Sequence, residues 1–214
     1  MTQLRRAPRA RDDGVPSRLI AYPLSKRILD KLVASVLIVA VAPLFLVATV
    51  AAALASKGRP FRRECRVSRG RRFELLKFRT VRLGLAGELR LLERDPVNLT
   101  WAGRWLLKPW YLDELPQLLN VLRGDMSIVG PRAWPPDMVD QQVAAGLDYR
   151  LRIMAGLTGP AQATKGMGGS RYVDLDLLYV EKCKTLRGWA LVRYDLGVIA
   201  RSLRVLARRE GLTY

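Results

Sequence analysis

The chain has 214 residues, half of them hydrophobic, with 37 Lys and Arg against 19 Asp and Glu, and no histidine. The length is about one domain's worth, and the apolar content excludes a disordered chain. The lack of histidine excludes His-based triads, His zinc ligands and His general bases, so any chemistry falls to carboxylates, Lys, Arg, Tyr, Ser, Thr or Cys. The net charge of +18 predicts affinity for polyanions: nucleic acid, anionic head groups or phosphorylated substrates. Two distant cysteines, Cys65 and Cys183, make no metal site and read as free thiols in a reducing compartment.

Residues 1–23 carry Arg5, Arg6, Arg9, Arg11 and Arg18 among Pro8, Gly14 and Pro16, which predicts a disordered basic tail, either on a membrane surface or simply solvated. The run from Leu32 to Ala55 holds no charge and, as a helix, would reach about 36 Å, enough to span a bilayer. A cleaved signal peptide fits poorly, although Ala53-Leu54-Ala55 imitates a cleavage site, because the apolar stretch is too long. Two facts oppose a plain spanning helix. Pro43 interrupts the backbone hydrogen bonding near the middle. Both flanks are basic, Lys26, Arg27 and Lys31 before and Lys57, Arg59, Arg62 and Arg63 after, which places both ends in the cytoplasm. A re-entrant hairpin over 24–56, broken at Pro43, satisfies both facts and stands level with the spanning helix on the residues alone.

The remainder, 57–214, reads as a cytoplasmic domain. Arg72 to Thr80 predicts a strand, one arm of a hairpin turning near Ser68 to Gly70. Eleven Lys and Arg lie between Lys57 and Arg82, a face suited to anionic lipid, to a diphosphate or simply to water. Residues 83–95 read as a polar helix or loop, ended at Asp95-Pro96. Trp101, Trp105, Trp110 and Tyr111, interleaved with Arg104 and Lys108, suit a membrane interface or a core equally.

Residues 112–132, LDELPQLLNVLRGDMSIVGPR, are the most informative. Leu115, Leu118, Leu119 and Leu122 form one helical stripe, with Asp113 as the expected N-cap and Gly124 as the stop. Asp113 and Glu114 would then share a helix N-terminus, which favours anions and lowers an Asp pKa. Such a pair suits a nucleophile beside a metal ligand. An acidic cap and first turn is also a common helix start, and locally it is the stronger reading. Beyond lie a Gly-rich loop over 158–169 that matches no phosphate-binding fingerprint, a helix near 174–183 and a basic amphipathic helix from Trp189 to Arg209.

KRILDK (26–31) before a Pro-broken apolar segment, KFRT (77–80), LDELPQLLNVLRGDMSIVGPR (112–132), TGPAQ (158–162) and LYVEK (178–182) occur in that order. Over about 24–207 this resembles the bacterial sugar transferase family, the monotopic phosphoglycosyl transferases, in their small catalytic-core form. The resemblance implies a mixed α/β, helix-rich fold: a re-entrant membrane helix hairpin, a small cytoplasmic catalytic domain and interfacial amphipathic helices. It further implies transfer of a sugar 1-phosphate from a UDP-sugar to a polyprenol phosphate for exopolysaccharide or glycoconjugate synthesis. In that chemistry Asp113 attacks the sugar-proximal phosphate, UMP leaves, and a phosphosugar–aspartate is passed to the lipid. Glu114 would bind Mg²⁺ or assist proton and charge traffic, and Lys77, Arg79 and Arg132 would contact phosphate or nucleotide.

The implied location is the cytoplasmic face of the bacterial inner membrane, with membrane lipid as partner, no nucleic acid, and a homodimer left open. Departures from the family pattern fall at Ala42, Leu107, Pro109-Trp110-Tyr111, Ala133, Met154-Ala155 and Arg63-Glu64-Cys65, and they bear on which donor is used. Two other classes compete: a non-catalytic membrane scaffold of the same fold, and a membrane-tethered nucleic-acid binder motivated only by charge, for which no recognition motif is present.

Overall fold

The structure, a computed structural model, describes residues 19–85, 89–164 and 171–207. Most of the expected basic tail, the end of the Gly-rich loop and the last residues of the C-terminal amphipathic segment lie outside the described residues. The mixed, helix-rich α/β class holds.

Helices α1 (Leu24–Ala40) and α2 (Ala42–Ala55) meet at a bend of 69°. The break falls at Val41, and Pro43 occupies the first turn of α2. A proline there loses no helical hydrogen bond, because first-turn N–H groups have no intrahelical partner. Pro43 therefore begins a second helix in a new direction instead of kinking one. No single described helix is long and apolar enough to cross a membrane, while the bent pair passes that test together. Leu32, Val36, Val39, Leu46, Val50 and Leu54 are all exposed along it. So large an exposed apolar surface calls for a lipid or protein environment.

The chain then forms an antiparallel hairpin, β1 (Phe61–Ser68) and β2 (Arg71–Phe78), with Phe61 opposite Phe78 and Ser68 opposite Arg71. Its two turn residues, Arg69 and Gly70, have φ of 51° and 73°. Positive φ at both central positions gives the turn twist that matches paired strands. A short helix α3 (Leu89–Leu92) follows. The expected break at Asp95-Pro96 is a 3₁₀ turn capped by the Asp95 carboxylate, which accepts the Val97 N–H at 2.9 Å. A π-helical turn, Gly103–Leu107, is pressed against the end of β2: a Cβ on Gly103 would lie 2.4 Å from the Thr80 carbonyl oxygen, so only glycine fits.

The predicted leucine-striped helix is shorter than expected, α4 (Gln117–Arg123), and ends as predicted at Gly124. Gly124 N–H donates to Val121 O and Asp125 N–H to Asn120 O, both at 3.0 Å, which closes the last turn. Asn120 lies along β2: its Oδ1 accepts the Leu76 N–H at 2.9 Å and its Nδ2 donates to Glu74 O at 2.8 Å. The side chain thus satisfies strand groups that have no neighbouring strand. Then come β3 (Ser127–Val129), α5 (Pro136–Ala144), α6 (Tyr149–Arg152) and β4 (Gly156–Thr158), which pairs parallel to β3. Helices α7 (Arg171–Thr185) and α8 (Trp189–Ala207) complete the fold.

The main core joins α1, α4, β3, α7 and α8 through Ala34, Leu118, Val121, Val129, Tyr179, Leu191 and Val198. A second cluster seats α2 on the end of β2 and the π-helical turn, through Ala48, Ala52, Phe78, Ala102 and Leu107. Trp101, Trp105 and Trp110 are each more than half exposed, which removes them from the core. Both cysteines are free thiols, as expected.

Lys26 departs from the sequence reading. Counted there among the basic flanks, it is fully buried in the structure. Its ammonium lies 3.1 Å from Asp30 Oδ1, 2.7 Å from Asp195 Oδ2 and 2.7 Å from Ser127 Oγ. Asp30 also accepts the Ile128 N–H at 3.1 Å, and the Tyr179 hydroxyl is 3.0 Å from Asp195 Oδ1. One lysine therefore ties α1 to β3 and α8. A buried charge is tolerated only when paired and hydrogen-bonded, and removing one partner strands the others. Lys26→Met should lower unfolding stability by about 3–5 kcal/mol, with part recovered in Lys26→Met/Asp195→Asn. Denaturant unfolding in detergent measures this; parental stability in the single variant would show that the network carries no load.

Candidate active site

Asp113 and Glu114 lie in a 3₁₀ turn, Leu112–Glu114, ahead of α4. This corrects the capping expectation. Helix α4 starts at Gln117, its N-cap position is Pro116, and no side chain caps it. The reason lies just upstream: Tyr111 has φ 55°, ψ 21°, in the left-handed region. A non-glycine residue pays about 1 kcal/mol or more for that conformation. The chain turns sharply there, and Asp113 is carried inward, to 7% exposure, rather than left at a helix end.

The electrostatic expectation is corrected with it. The Asp113 carboxyl is pushed up, to about 6 from an ordinary 3.8, and not down. Burial is the largest cause; Lys77 and Lys108 oppose it, while Glu114 and Glu93 reinforce it. A carboxylate of that strength is a better nucleophile than an ordinary Asp and is still mostly ionised at neutral pH.

Lys77 comes from the end of β2, where the pleat turns it inward and buries it. Its Nζ is 3.5 Å from Glu114 Oε1. Arg132 follows β3 and donates to the same Oε1 at 2.7 Å. Glu114 also holds the Arg132 guanidinium more firmly protonated than usual. Two of the predicted residues, Lys77 and Arg132, thus converge on Glu114, the neighbour of Asp113. Arg79 is not brought there by its hydrogen bonds: its guanidinium donates to Arg59 O at 3.1 Å and Phe61 O at 3.2 Å, at the open end of the hairpin.

Other members left little trace in the sequence. Glu93 sits just after α3 and pairs with Arg62, and Lys108 Nζ lies 3.7 Å from Glu93 Oε2. Arg62 also pairs with Glu64, which in turn pairs with Arg66. Burial works against the Glu93 carboxylate, but Arg62, Lys108 and Lys77 outweigh it and leave its pKa below the usual range. Lys108 stood in the aromatic stretch and Glu93 in a featureless polar one; only folding assembles them.

Two cavities of unlike character adjoin these residues. The charged one, of about 230 Å³, is lined by Arg66, Lys77, Glu93, Gln117 and Arg132 and also by Leu75, Trp134 and Met138. An apolar groove of about 570 Å³ runs between α1 and α8, past Val33, Leu37, Leu118, Ile199 and Leu203, with Glu114 and Arg132 in its wall. Arg132 lines both.

A family model described as bacterial sugar transferase matches residues 21–209. The chain belongs to the bacterial sugar transferase family. It is 37% identical over 209 residues to a UDP-glucose:undecaprenyl-phosphate glucose-1-phosphate transferase of Caulobacter vibrioides, covering 92% of this chain and 75% of that protein. An undecaprenyl-phosphate galactose phosphotransferase of Salmonella typhimurium is 37% identical over 120 residues, which make up 56% of this chain and 24% of that longer protein. The exopolysaccharide production protein ExoY of Sinorhizobium fredii is 32% identical, covering 88% of each chain.

The raised Asp113 carboxyl links folding to pH with a definite sign. The folded state holds that proton more tightly than the unfolded chain, so the stability it contributes is present below about pH 4 and lost as pH rises through about 6. Asp113→Asn should therefore stabilise the protein at pH 8 by roughly 1–3 kcal/mol and by little at pH 4. Unfolding midpoints at the two pH values test this; equal effects at both would contradict the buried-carboxylate account.

Proposed function

We propose that this sugar transferase moves a sugar 1-phosphate from a UDP-sugar to undecaprenyl phosphate or a similar polyprenol phosphate, at the cytoplasmic face of the inner membrane. The observation that carries the reading is the meeting of two unlike cavities at one ion pair. The charged cavity suits a soluble donor, the apolar groove suits an isoprenoid chain, and Arg132, paired with Glu114, borders both. Relatives named for UDP-glucose and undecaprenyl phosphate support it.

In the proposed first step an Asp113 oxygen attacks the sugar-proximal phosphorus of the donor. The bond from that phosphorus to the bridging oxygen breaks, UMP departs with the electron pair, and the sugar phosphate stays on Asp113. In the second step an oxygen of the lipid phosphate attacks the same phosphorus, and Asp113 leaves as carboxylate. Lys77, Lys108 and Arg132 offset the charge that builds on the phosphoryl oxygens. Burial excludes bulk water, which would otherwise hydrolyse the intermediate.

Mg²⁺ belongs to this proposal. Among the described residues no three His, Cys, Asp or Glu side chains gather as a metal site. Mg²⁺ does not need such a cage, since one or two carboxylates with substrate phosphates and water complete its shell. Adjacent Asp113 and Glu114, all-oxygen donors, fit that pattern, with Glu114 as the ligand. When bound, the ion would neutralise diphosphate charge and aid loss of UMP.

The bent α1–α2 pair supports a hairpin that enters and leaves on one side: Arg27 and Lys31 in the first turns of α1, and Lys57 and Arg59 just after α2, are exposed. Exposed Trp101, Trp105, Trp110 and Trp189 suit the membrane interface. In a chain lacking Cys65 and Cys183, single cysteines at Arg27 and at Lys57 should react only after the inner membrane is opened. If one of them is labelled from outside, the helices span.

The direct test uses detergent-purified protein with Mg²⁺, a polyprenol phosphate and a panel of UDP-sugars. UMP should be released from at least one donor, and Asp113→Ala should abolish it. Arg132→Ala should slow it by about 10²–10³. The pH profile of kcat/KM should fall on the acid side through about pH 6, as Asp113 takes up its proton. Full activity in Asp113→Ala would overturn the mechanism.

A further inference from the structure

We infer that the charged cavity is the seat of the donor's hexosyl ring, and that Gln117 and Trp134 are specificity-determining residues within it. This rests on the proposed transfer and adds to it the part of the donor that the cavity recognises.

Size comes first. About 230 Å³ is below the range of roughly 300–1,000 Å³ typical of drug-sized ligand sites. The cavity therefore takes one ring of a nucleotide sugar and not the whole molecule. Position decides which ring. Lys77 and Arg132 line the cavity, and both contact Glu114, the neighbour of the attacking Asp113. Glu93, also in its wall, pairs with Arg62 and lies 3.7 Å from the Lys108 ammonium. The cavity is thus next to the phosphorus under attack. The sugar is joined to that phosphorus through a single oxygen, whereas the base is separated from it by a second phosphate and a ribose. The ring nearest the attacked atom is the sugar. It is also the part that stays after UMP leaves, so a pocket for it serves both steps.

The chemistry of the wall agrees. A hexose presents hydroxyls in several directions and one apolar face. Gln117, Glu93 and Arg66 offer both acceptors and donors, and Trp134 an aromatic surface. Gln117 is buried in the first turn of α4, at the wall of the cavity. Trp134 is held from two sides. Its carbonyl accepts the Val67 N–H at 3.0 Å, and the Arg150 guanidinium lies 4.0 Å from its ring centroid. Arg150 also donates to the Arg132 carbonyl at 2.5 Å and is anchored to Asp176 at 2.6 Å. One buried arginine therefore fixes the aromatic wall of the cavity and the backbone of the arginine shared with the lipid groove. A ring-recognising wall rigidly coupled to the phosphate-contacting residue is what discrimination between near-identical sugars needs, since hexose epimers differ by one hydroxyl direction.

The experiment uses the full chain in detergent with Mg²⁺, and compares Gln117→Met and Trp134→Phe with the parent. kcat/KM is measured for UDP-glucose and UDP-galactose, and the inhibition constant for UMP. The unfolding midpoint of each variant is checked in the same detergent, and Trp134→Phe keeps an aromatic ring in case Gln117→Met folds poorly. Each variant should lose tenfold or more in kcat/KM on the preferred donor and shift the ratio between the two donors at least threefold. The UMP inhibition constant should stay within twofold. A UMP constant that rises in step with the loss of kcat/KM would overturn the inference and make this a nucleoside site. An unchanged donor ratio would overturn it as well. No UMP release by the folded parent from any donor would instead sink the proposed transfer itself, a result separable from either of these.

Discussion

The fold depends on one buried ammonium. Lys26 is surrounded by Asp30, Asp195 and Ser127, and through them one residue at the start of α1 fixes β3 and α8. The consequence reaches the site directly. Arg132 is three residues beyond the end of β3, so the strand that Lys26 and Asp30 hold is the strand that aims Arg132. The apolar groove lies between the two helices that Lys26 and Asp195 join, with Val33 and Leu37 on one wall and Ile199 and Leu203 on the other. Were the helix pair merely a greasy anchor, its polar end would be solvated. Instead it is built into the core of the domain.

The proposed chemistry depends on a second constraint, the burial of Asp113. A carboxylate at a helix N-terminus would be strongly ionised, stable and a poor nucleophile. The left-handed Tyr111 prevents that outcome by turning the chain one residue before Leu112, and Asp113 is enclosed among Lys77, Lys108, Glu93 and Glu114. The result is a balance. Burial raises the carboxyl toward neutrality, and two lysines keep it from going so far that the acid would be protonated at working pH. The site costs folding stability at neutral pH, as reactive sites commonly do.

Of the residues singled out from sequence, Asp113, Glu114, Lys77 and Arg132 come together, although they lie on three separate segments. They were legible because a long ordered motif set carried them, not because of spacing. Arg79, legible by the same route, has its hydrogen bonds to the backbone at the hairpin's open end. Glu93, Lys108 and Trp134 were invisible as a group. Each is an ordinary residue in an ordinary stretch, and their shared location is a property of loop paths that no local pattern records. Lys26 was misread outright. A lysine beside an apolar run is usually solvated, and only the approach of Asp195, 169 positions away by the numbering, pays for its burial.

By itself the sequence determined several breaks and turns and the chemical vocabulary. Pro43 set where the apolar run breaks, Arg69-Gly70 set the hairpin turn, Gly124 ended α4, and the absence of histidine left carboxylates, Lys and Arg to do any chemistry. These are short-range consequences of φ preferences, hydrogen-bond inventory and side-chain pKa, so they can be read within a few residues. The tertiary structure alone decided that Asp113 is buried and weakly acidic rather than a strongly acidic cap. It alone decided that Lys26 is a core residue, and that a charged cavity and an apolar groove meet at Arg132. Those outcomes are set by desolvation and by charges brought from distant segments, and neither exists until the chain has closed around them.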